Sequence, residues 1–549
     1  MDRFRSPARR TVLLGAAASL TAAVPTVALP TVASAAPSRP SRSRLTLPSG
    51  LQTGDVTETS AVLWSRASGE GRLHAVLHAL DADGRRPSSS AGRGKGRGGT
   101  GRGGNGEPIT LRGPWATSRT DFTARISANG LPSGTEFEVE LFFEDENGTK
   151  GEVGVGRFGT APGRGADGAQ SFVWTADTAG QGYGINPDVG GMFGYETMRS
   201  LQPNFFLHAG DTIYADGPIQ ETLEEPDGTL WRNVVTEEVA KVAETLREFR
   251  GRHSYNLMDE NLRAMYAEVP VIATWDDHET TNNWWPGEVL EDDRYTVRDV
   301  NTLAARGRRA WQEYQPIADR RAMSRGAGFS PERIYRTIHR GPALDVFVLD
   351  MRTHKGENTD GLEGTSTAIL GEEQLQWLLK GLRQSTATWK VILADLPLGI
   401  VVPDGKGQES IANAEDGKPL GRELELARLL SGIKHQGTRN IVFLTGDVHY
   451  CAAHHYSPER AAFTDFEPFW EFVAGPINAG SFGPNAMDGT FGPEVDFQKA
   501  GPAMGSPRHG AGQFFGRVEI SPDCEEFTVE LIDANGAVQY TRTLTPLEG

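Results

Sequence analysis

Cysteine is scarce: the 549-residue chain contains only Cys451 and Cys524. Two thiols exclude a disulfide framework and leave open one bridge or two separate buried thiols. Positive charge is in deficit, with 55 Lys and Arg against 72 Asp and Glu and a formal net charge of −17. So acidic a chain is a poor general binder of nucleic acid, whose phosphates seek positive surfaces. The same acidity suits a protein that holds cations. No apolar run reaches the roughly 18 residues of a membrane-spanning helix. What remains is an ordinary globular composition, 38% hydrophobic and 23% charged, at a length that calls for two domains.

Residues 1–35 read as an export signal. Arg9 and Arg10 precede Thr11-Val12-Leu13 and a mildly apolar stretch, and Ala33 and Ala35 are spaced for an A-x-A cleavage. The arginine pair points to the twin-arginine type. The twin-arginine export machinery is then an expected partner, and the mature chain begins near Ala36 as a secreted, periplasmic or wall-associated protein. Residues 36–48, rich in Pro, Ser and Arg, read as a flexible leader.

Residues 49–162 carry the pattern of a fibronectin-like or immunoglobulin-like β-sandwich. "TEFEVELFFED" alternates Phe137, Val139, Leu141 and Phe143 with Glu136, Glu138 and Glu140, the period of a half-buried strand. Asn147-Gly148 supplies a hairpin turn. Trp64, in "SAVLWSRA", is expected in the sandwich core. An insertion at 84–106, rich in Gly and Arg, is too low in complexity to bury a core and reads as a disordered loop. Residues 170–545 alternate short apolar strands with helical patterns, which argues an α/β domain of sheets covered by helices. Val239, Val242, Leu246 and Phe249 share one predicted helix face after Thr236. Leu375, Leu378, Leu379 and Leu382 share another after Gly371. The last two strand patterns suggest an antiparallel finish.

The ends of the apolar strands are charged. "SFVWTA" leads to Asp177, "FFLHAG" to Asp211, "PVIATW" to Asp276 and Asp277, "VILA" to Asp395, and "IVFLTG" to Asp447 and His449. Sites in α/β sheets form at the carboxyl ends of strands. One carboxylate there is commonly a helix cap. Five in register would repel one another and take up protons unless cations lie among them.

Three motifs in order, "GDTIY" (210–214), "WDDHE" (275–279) and "GDVH" (446–449), resemble those of PhoD-like alkaline phosphatases and phosphodiesterases, in the metallophosphoesterase superfamily. The resemblance covers roughly residues 45–545 and includes "EFVAGPINAGSFGPN" (471–485). It implies a four-layer metallophosphoesterase sandwich, two mixed β-sheets flanked by helices, behind a fibronectin-like domain. It also implies hydrolysis of phosphate mono- or diesters at a dinuclear centre by metal-activated water. By position, Asp177, Asp211, Tyr214 and His449 would hold the first metal, iron in the family. Asp177 stands where the best-known members have cysteine, which hardens the site and leaves manganese, magnesium or calcium open beside iron. Asp211, Asp277, Asp447 and Asp395 would hold the second metal. That all-oxygen shell favours calcium, the family's known ion, over magnesium.

His278 would protonate the leaving oxygen or stabilise the transition state. Asp276 would orient a ligand. Asn282 and Asn283 would meet phosphate or calcium, and Arg250 would meet phosphate, with His253 and Arg352 as further candidates. Phospholipase D-like or teichoic-acid phosphodiesterase activity is the enzymatic alternative, and a calcium-binding cell-wall adhesion module the non-enzymatic one. Cys451 and His208 read as core residues, His454 and His455 have no assigned place, and Trp284 and Trp285 read as cleft or packing. Residues 471–485 read as a lid or a structural loop.

Overall fold

The apolar strand patterns assemble into two facing sheets. A computed structural model describes residues 44–81, 83–86, 107–318, 333–502, 504–510 and 512–547. The signal at 1–35, the leader up to residue 43 and the insertion from 87 onward lie outside the described residues. The first sheet has nine strands, in the order Val538–Leu544, Phe527–Asp533, Phe514–Ile520, Gln170–Thr175, Phe205–Ala209, Val271–Thr274, Leu51–Gly54, Ser60–Arg66 and Thr123–Asn129. The second has seven: Arg336–His339, Leu344–Val348, Trp389–Leu393, Ile441–Thr445, Phe469–Val473, Cys451–Tyr456 and Pro493–Lys499.

Parallel strands occupy the middle of each sheet. Gln170–Thr175, Phe205–Ala209 and Val271–Thr274 run parallel in the first, and Leu344–Val348, Trp389–Leu393 and Ile441–Thr445 in the second. Such strands are apolar on both faces because both are covered. Trp174, Leu207 and Ile272 meet Val346, Leu393 and Leu444 between the sheets. Their neighbours Val173, Phe206 and Ala273 face the helices outside the first sheet, and Phe347, Ile392 and Phe443 those outside the second. The result is the four-layer α/β sandwich expected. The C-terminal strands pair antiparallel, also as expected. No described helix is long and apolar enough to cross a membrane.

Helix Gly371–Gln384 buries Leu375, Leu378, Leu379 and Leu382. The helix predicted from Thr236 is instead a single 3-10 turn, Glu237–Val239, followed by a separate helix, Leu246–Asn256. Thr245 starts the second piece. Its hydroxyl accepts the Glu248 N–H, and the Glu248 carboxylate accepts the Thr245 N–H at 2.8 Å. This capping box begins a new helix where apolar spacing alone would run through.

The N-terminal residues form a β-sandwich. One sheet is Ile109–Ala116, Gly71–Ala79, Glu136–Glu144 and Lys150–Gly159. The opposing strands are the end of the nine-stranded sheet, joined to it where Gly54 pairs with Val271. Phe137, Val139, Leu141 and Phe143 fill the space between. Trp64 departs from its expected place. Leu63 enters the sandwich core, so Trp64 points to the other face, where it packs on Tyr314 and donates its indole N–H to the Glu313 carbonyl at 2.7 Å. Asp55 and Arg336 form a buried ion pair at 2.8 Å between this region and an edge strand of the second sheet. Cys451 and Cys524 are free thiols.

Candidate metal centre

Three parallel strands from each sheet end at one place. The first sheet delivers Asp177, Asp211, Asp276 and Asp277; the second delivers Arg352, Asp395 and Asp447. Ligand atoms of Asp177, Asp211 and His449 lie within 4.8 Å of one another, as do those of Asp211, Asp277 and His278, and those of Asp276, Asp277 and Asp447. Asp211 and Asp277 link the three groups into one chain. Tyr214 joins the first group, with its hydroxyl 2.7 Å from Nε2 of His449 and 3.4 Å from Oδ1 of Asp177. Asp395 is buried 3.9 Å from Nε of Arg352.

The backbone is strained at these residues. Asp177, Asp211, Asp447 and His449 have φ of 66°, 53°, 70° and 59°. Such left-handed positions cost on the order of 1–3 kcal/mol each and persist where neighbours over-determine them. Glu279 supplies part of that constraint. Its buried carboxylate accepts the backbone N–H groups of Asp211, Thr212 and Asp276 and the hydroxyl of Thr212. One side chain thus ties the "GDT" loop to the "WDD" loop.

The histidines are held from behind. Nδ1 of His449 bonds the Gly480 carbonyl, which turns Nε2 toward Tyr214 and Asp177. The segment that carries Gly480, residues 471–485, is largely buried and pairs Asn478 with Thr178, so it is a structural wall and not a lid. Nδ1 of His278 lies 2.7 Å from Oδ1 of Asp216, and its ring stacks on Tyr214 with centroids 4.1 Å apart. Asn282 and Asn283 act here through their backbones. Their N–H groups donate to Asp216 at 2.9 Å and to Asp277 at 2.5 Å, while the Asn282 side chain is exposed and that of Asn283 half-buried.

Arg250 is engaged by other partners. Its Nε and Nη2 donate to both oxygens of Glu313, at 2.6 and 2.8 Å, and Nη2 also donates to the Arg119 carbonyl. His253 stacks on Tyr314 at 5.3 Å, and burial pushes its pKa down to about 3, so it is a neutral core residue. His208 bonds Thr178 and His454 bonds Glu471, both within the core. Cys451 is buried in the core, Trp284 packs on Trp275, and Trp285 is half-buried.

Burial raises the carboxyls of Asp177, Asp211, Asp395 and Asp447 well above their ordinary range, and neighbouring carboxylates add to the effect. Burial also pushes Asp277 upward, but His278 and Arg352 outweigh it and hold this carboxyl below its usual value. Burial alone would lower His278; Asp216 and Asp277 overcome it and bring the imidazole up to about 10. Burial takes His449 down to about 4, the neutral form that ligates metals. Oδ2 of Asp177, Oδ2 of Asp276, Oδ1 of Asp277 and both oxygens of Asp395 accept no hydrogen bond among the described residues. Buried acceptors left this way are costly. A cation satisfies several at once, so the donor set fits metals: phenol, imidazole and carboxylate on one side, and the carboxylates of Asp276, Asp277 and Asp447 on the other.

Residues 172–531 match the family model described as PhoD-like phosphatase. The chain belongs to the PhoD-like phosphatase family. Residues 32–162 match a second model, PhoD-like phosphatase, N-terminal domain. Alkaline phosphatase D of Bacillus subtilis (strain 168) is 31% identical over 303 residues, covering 53% of this chain and 48% of that relative. The chain thus spans about half the length of the curated relative it matches. A solved structure of PhoD superposes with a TM-score of 0.65 at 20% identity, over 93% of this chain and 94% of that one. Purple acid phosphatase PPD1 from yellow lupin seeds gives 0.53 at 13% identity, over 90% and 73%. At such identities these two likenesses bear on fold alone, and both agree with the four-layer arrangement.

Asp216 and Glu279 are two site residues that sequence reasoning left without a role. Both lie in or beside the PhoD-like motifs, two residues after Tyr214 and one after His278. Their partners are set by tertiary contact, which the motifs do not record.

Proposed function

We propose that this protein is a secreted, metal-dependent hydrolase of phosphate mono- and diesters. The observation that carries the reading is the convergence of strand-end carboxylates whose buried oxygens lack hydrogen-bond partners among the described residues, beside a histidine held by Asp216. Asp177, Asp211, Tyr214 and His449 would hold the first metal. Phenol and imidazole favour iron there, while the hard oxygens of Asp177 keep manganese and calcium as alternatives. Asp211, Asp277, Asp447 and Asp395 would hold the second, and their oxygen-only shell favours calcium. When bound, the two ions supply the charge that attracts a phosphate ester and the acidity that makes water a nucleophile near neutral pH.

The chain's own groups do the rest. Asp216 fixes Nδ1 of His278 at 2.7 Å, so Nε2 is the atom that gives its proton to the leaving oxygen. Asn282 and Asn283 offer side-chain amides to the ester at the rim. Arg250 is left out of this reading because Glu313 binds it through Nε and Nη2. The twin-arginine reading of residues 1–35 supports export. Turnover of p-nitrophenyl phosphate and of its bis ester, after loading the full chain with calcium and iron, tests the reading. Hydrolysis of both is expected, with loss in EGTA. Hydrolysis of the diester alone would favour the phospholipase D-like or teichoic-acid alternatives. Turnover of neither would favour the adhesion module.

A further inference from the structure

Five of the six strand ends deliver a carboxylate to the centre, and the sixth delivers Arg352. This residue follows the strand Leu344–Val348 and is fully buried. Its Nε donates to Asp276 and its Nη1 to Glu409. Nη2 has no hydrogen-bond partner among the described residues and lies 3.6 Å from Oδ1 of Asp277 and 3.8 Å from Oδ1 of Asp447. Oδ2 of Asp395 is 3.9 Å from Nε. One guanidinium therefore sits among five carboxylates. Three of its contacts, Asp276, Asp277 and Asp447, are the same residues that form the third metal-spaced group.

We propose that Arg352 acts as a fixed organic cation in place of an additional divalent ion, and so limits how many metals the centre holds. The proposal rests on the metal-centre reading above. A guanidinium carries one positive charge in a planar fork, so it satisfies the carboxylates whose lone pairs lie along its N–H directions and only approaches the others. Here Asp276 and Glu409 take the directed bonds, while Asp277 and Asp447 are approached without one. Because neither takes a directed bond from the guanidinium, those two carboxylates stay available to a metal. Without the guanidinium, the buried acids Asp276, Asp277 and Glu409 and the partly buried Asp447 would have no counter-charge from this residue. Such a set protonates or binds a cation. A guanidinium also stays charged where a histidine would titrate, and unlike a bound ion it cannot dissociate.

The test is a metal count. Full-length wild type, Arg352→Ala and Arg352→Lys are saturated with calcium and iron, freed of excess ion by gel filtration, and analysed for metal per chain. Arg352→Ala is expected to hold one more divalent ion than wild type, and Arg352→Lys the same number. Equal counts in wild type and Arg352→Ala would overturn the proposal. Wild type without bound metal would instead overturn the metal-centre reading, and this inference with it.

Arg352→Ala removes a buried charge and can fail to fold, so a second variant carries the test independently. The double variant Asp276→Asn, Glu409→Gln keeps the arginine but removes its two bonded partners. The guanidinium is then free to pair with Asp277 and Asp447 and compete with calcium. Calcium affinity, by titration of chelator-treated protein, is expected to fall about 10–100-fold. Unchanged affinity would show that Arg352 does not share carboxylates with the metal, and would overturn the proposal.

Discussion

Nδ1 of His278 lies 2.7 Å from Oδ1 of Asp216, and the other oxygen of Asp216 accepts the Asn282 N–H at 2.9 Å. One carboxylate therefore fixes both the ring and the loop that follows it. Asp216→Asn keeps the shape but loses the charge that supports the imidazolium. We expect kcat to fall by about 100-fold or more, with KM little changed. Steady-state kinetics across a pH series checks this, because the basic limb should also shift to lower pH. An unchanged kcat and limb would remove His278 from the acid role.

Metal removal should make stability depend on pH in a definite direction. Burial holds Asp177, Asp211, Asp395 and Asp447 well above their ordinary values and Glu279 at about 7. A carboxyl with a raised folded-state pKa binds its proton more tightly when native. Its contribution to stability is complete below the unfolded value of about 4 and is lost as pH rises through the folded value. The Tm of EGTA-treated protein should therefore fall from about pH 4 to pH 7 and beyond. Added calcium should flatten the curve, since it binds the ionised form, and restore turnover. Recovery with manganese alone would contradict calcium as the second ion.

Tyr214 tests the identity of the first metal. Its hydroxyl is 2.7 Å from Nε2 of His449, within the group that also includes Asp177 and Asp211. Iron(III) held by a tyrosinate absorbs in the visible, whereas calcium and magnesium do not. Purified protein should be coloured, and Tyr214→Phe should lose the band together with most of its iron while keeping its calcium. A colourless, iron-free wild type would assign a different ion to the Asp177 site.

The strand-end acids were legible because each follows a short apolar run, and a buried strand has to end where charge begins. The two-sheet fold was legible for the same reason. What stayed hidden depends on contacts between distant segments. Glu409 belongs to no motif, yet it holds Arg352 from 57 positions away. Arg250 has the chemistry of a phosphate ligand, but Glu313, 63 positions on, has claimed it. Trp64 was placed on the wrong face because apolar character says that a side chain is buried and not in which core. Thr245 is a different case: Thr and Glu three apart before Phe249 are a capping signal, and the apolar spacing obscured it.

Glu279 offers a test of how far the backbone of the centre depends on one side chain. It accepts four hydrogen bonds from two loops while fully buried. Glu279→Gln turns one acceptor into a donor that faces N–H groups. We expect a loss of about 1–3 kcal/mol in chemical denaturation, and weaker calcium binding because Asp211 and Asp276 lose their shared anchor. Wild-type calcium affinity in the variant would confine Glu279 to a structural role.

The Asp55–Arg336 pair makes the N-terminal strands part of the machinery that holds the centre. Arg336 donates to both oxygens of Asp55, and its Nη1 also reaches the Ala273 carbonyl at 3.1 Å, in the strand that leads to Asp276 and Asp277. Asp55 is 1% exposed at its side chain, so breaking the pair leaves a carboxylate that water cannot reach. Arg336→Met should lower unfolding free energy by about 3–5 kcal/mol. Adding Asp55→Asn should return part of it, because the stranded charge is then gone. If the single variant costs no more than the double, the pair is not what joins the two regions. The continuous sheet through Gly54 and Val271 would then carry that junction alone.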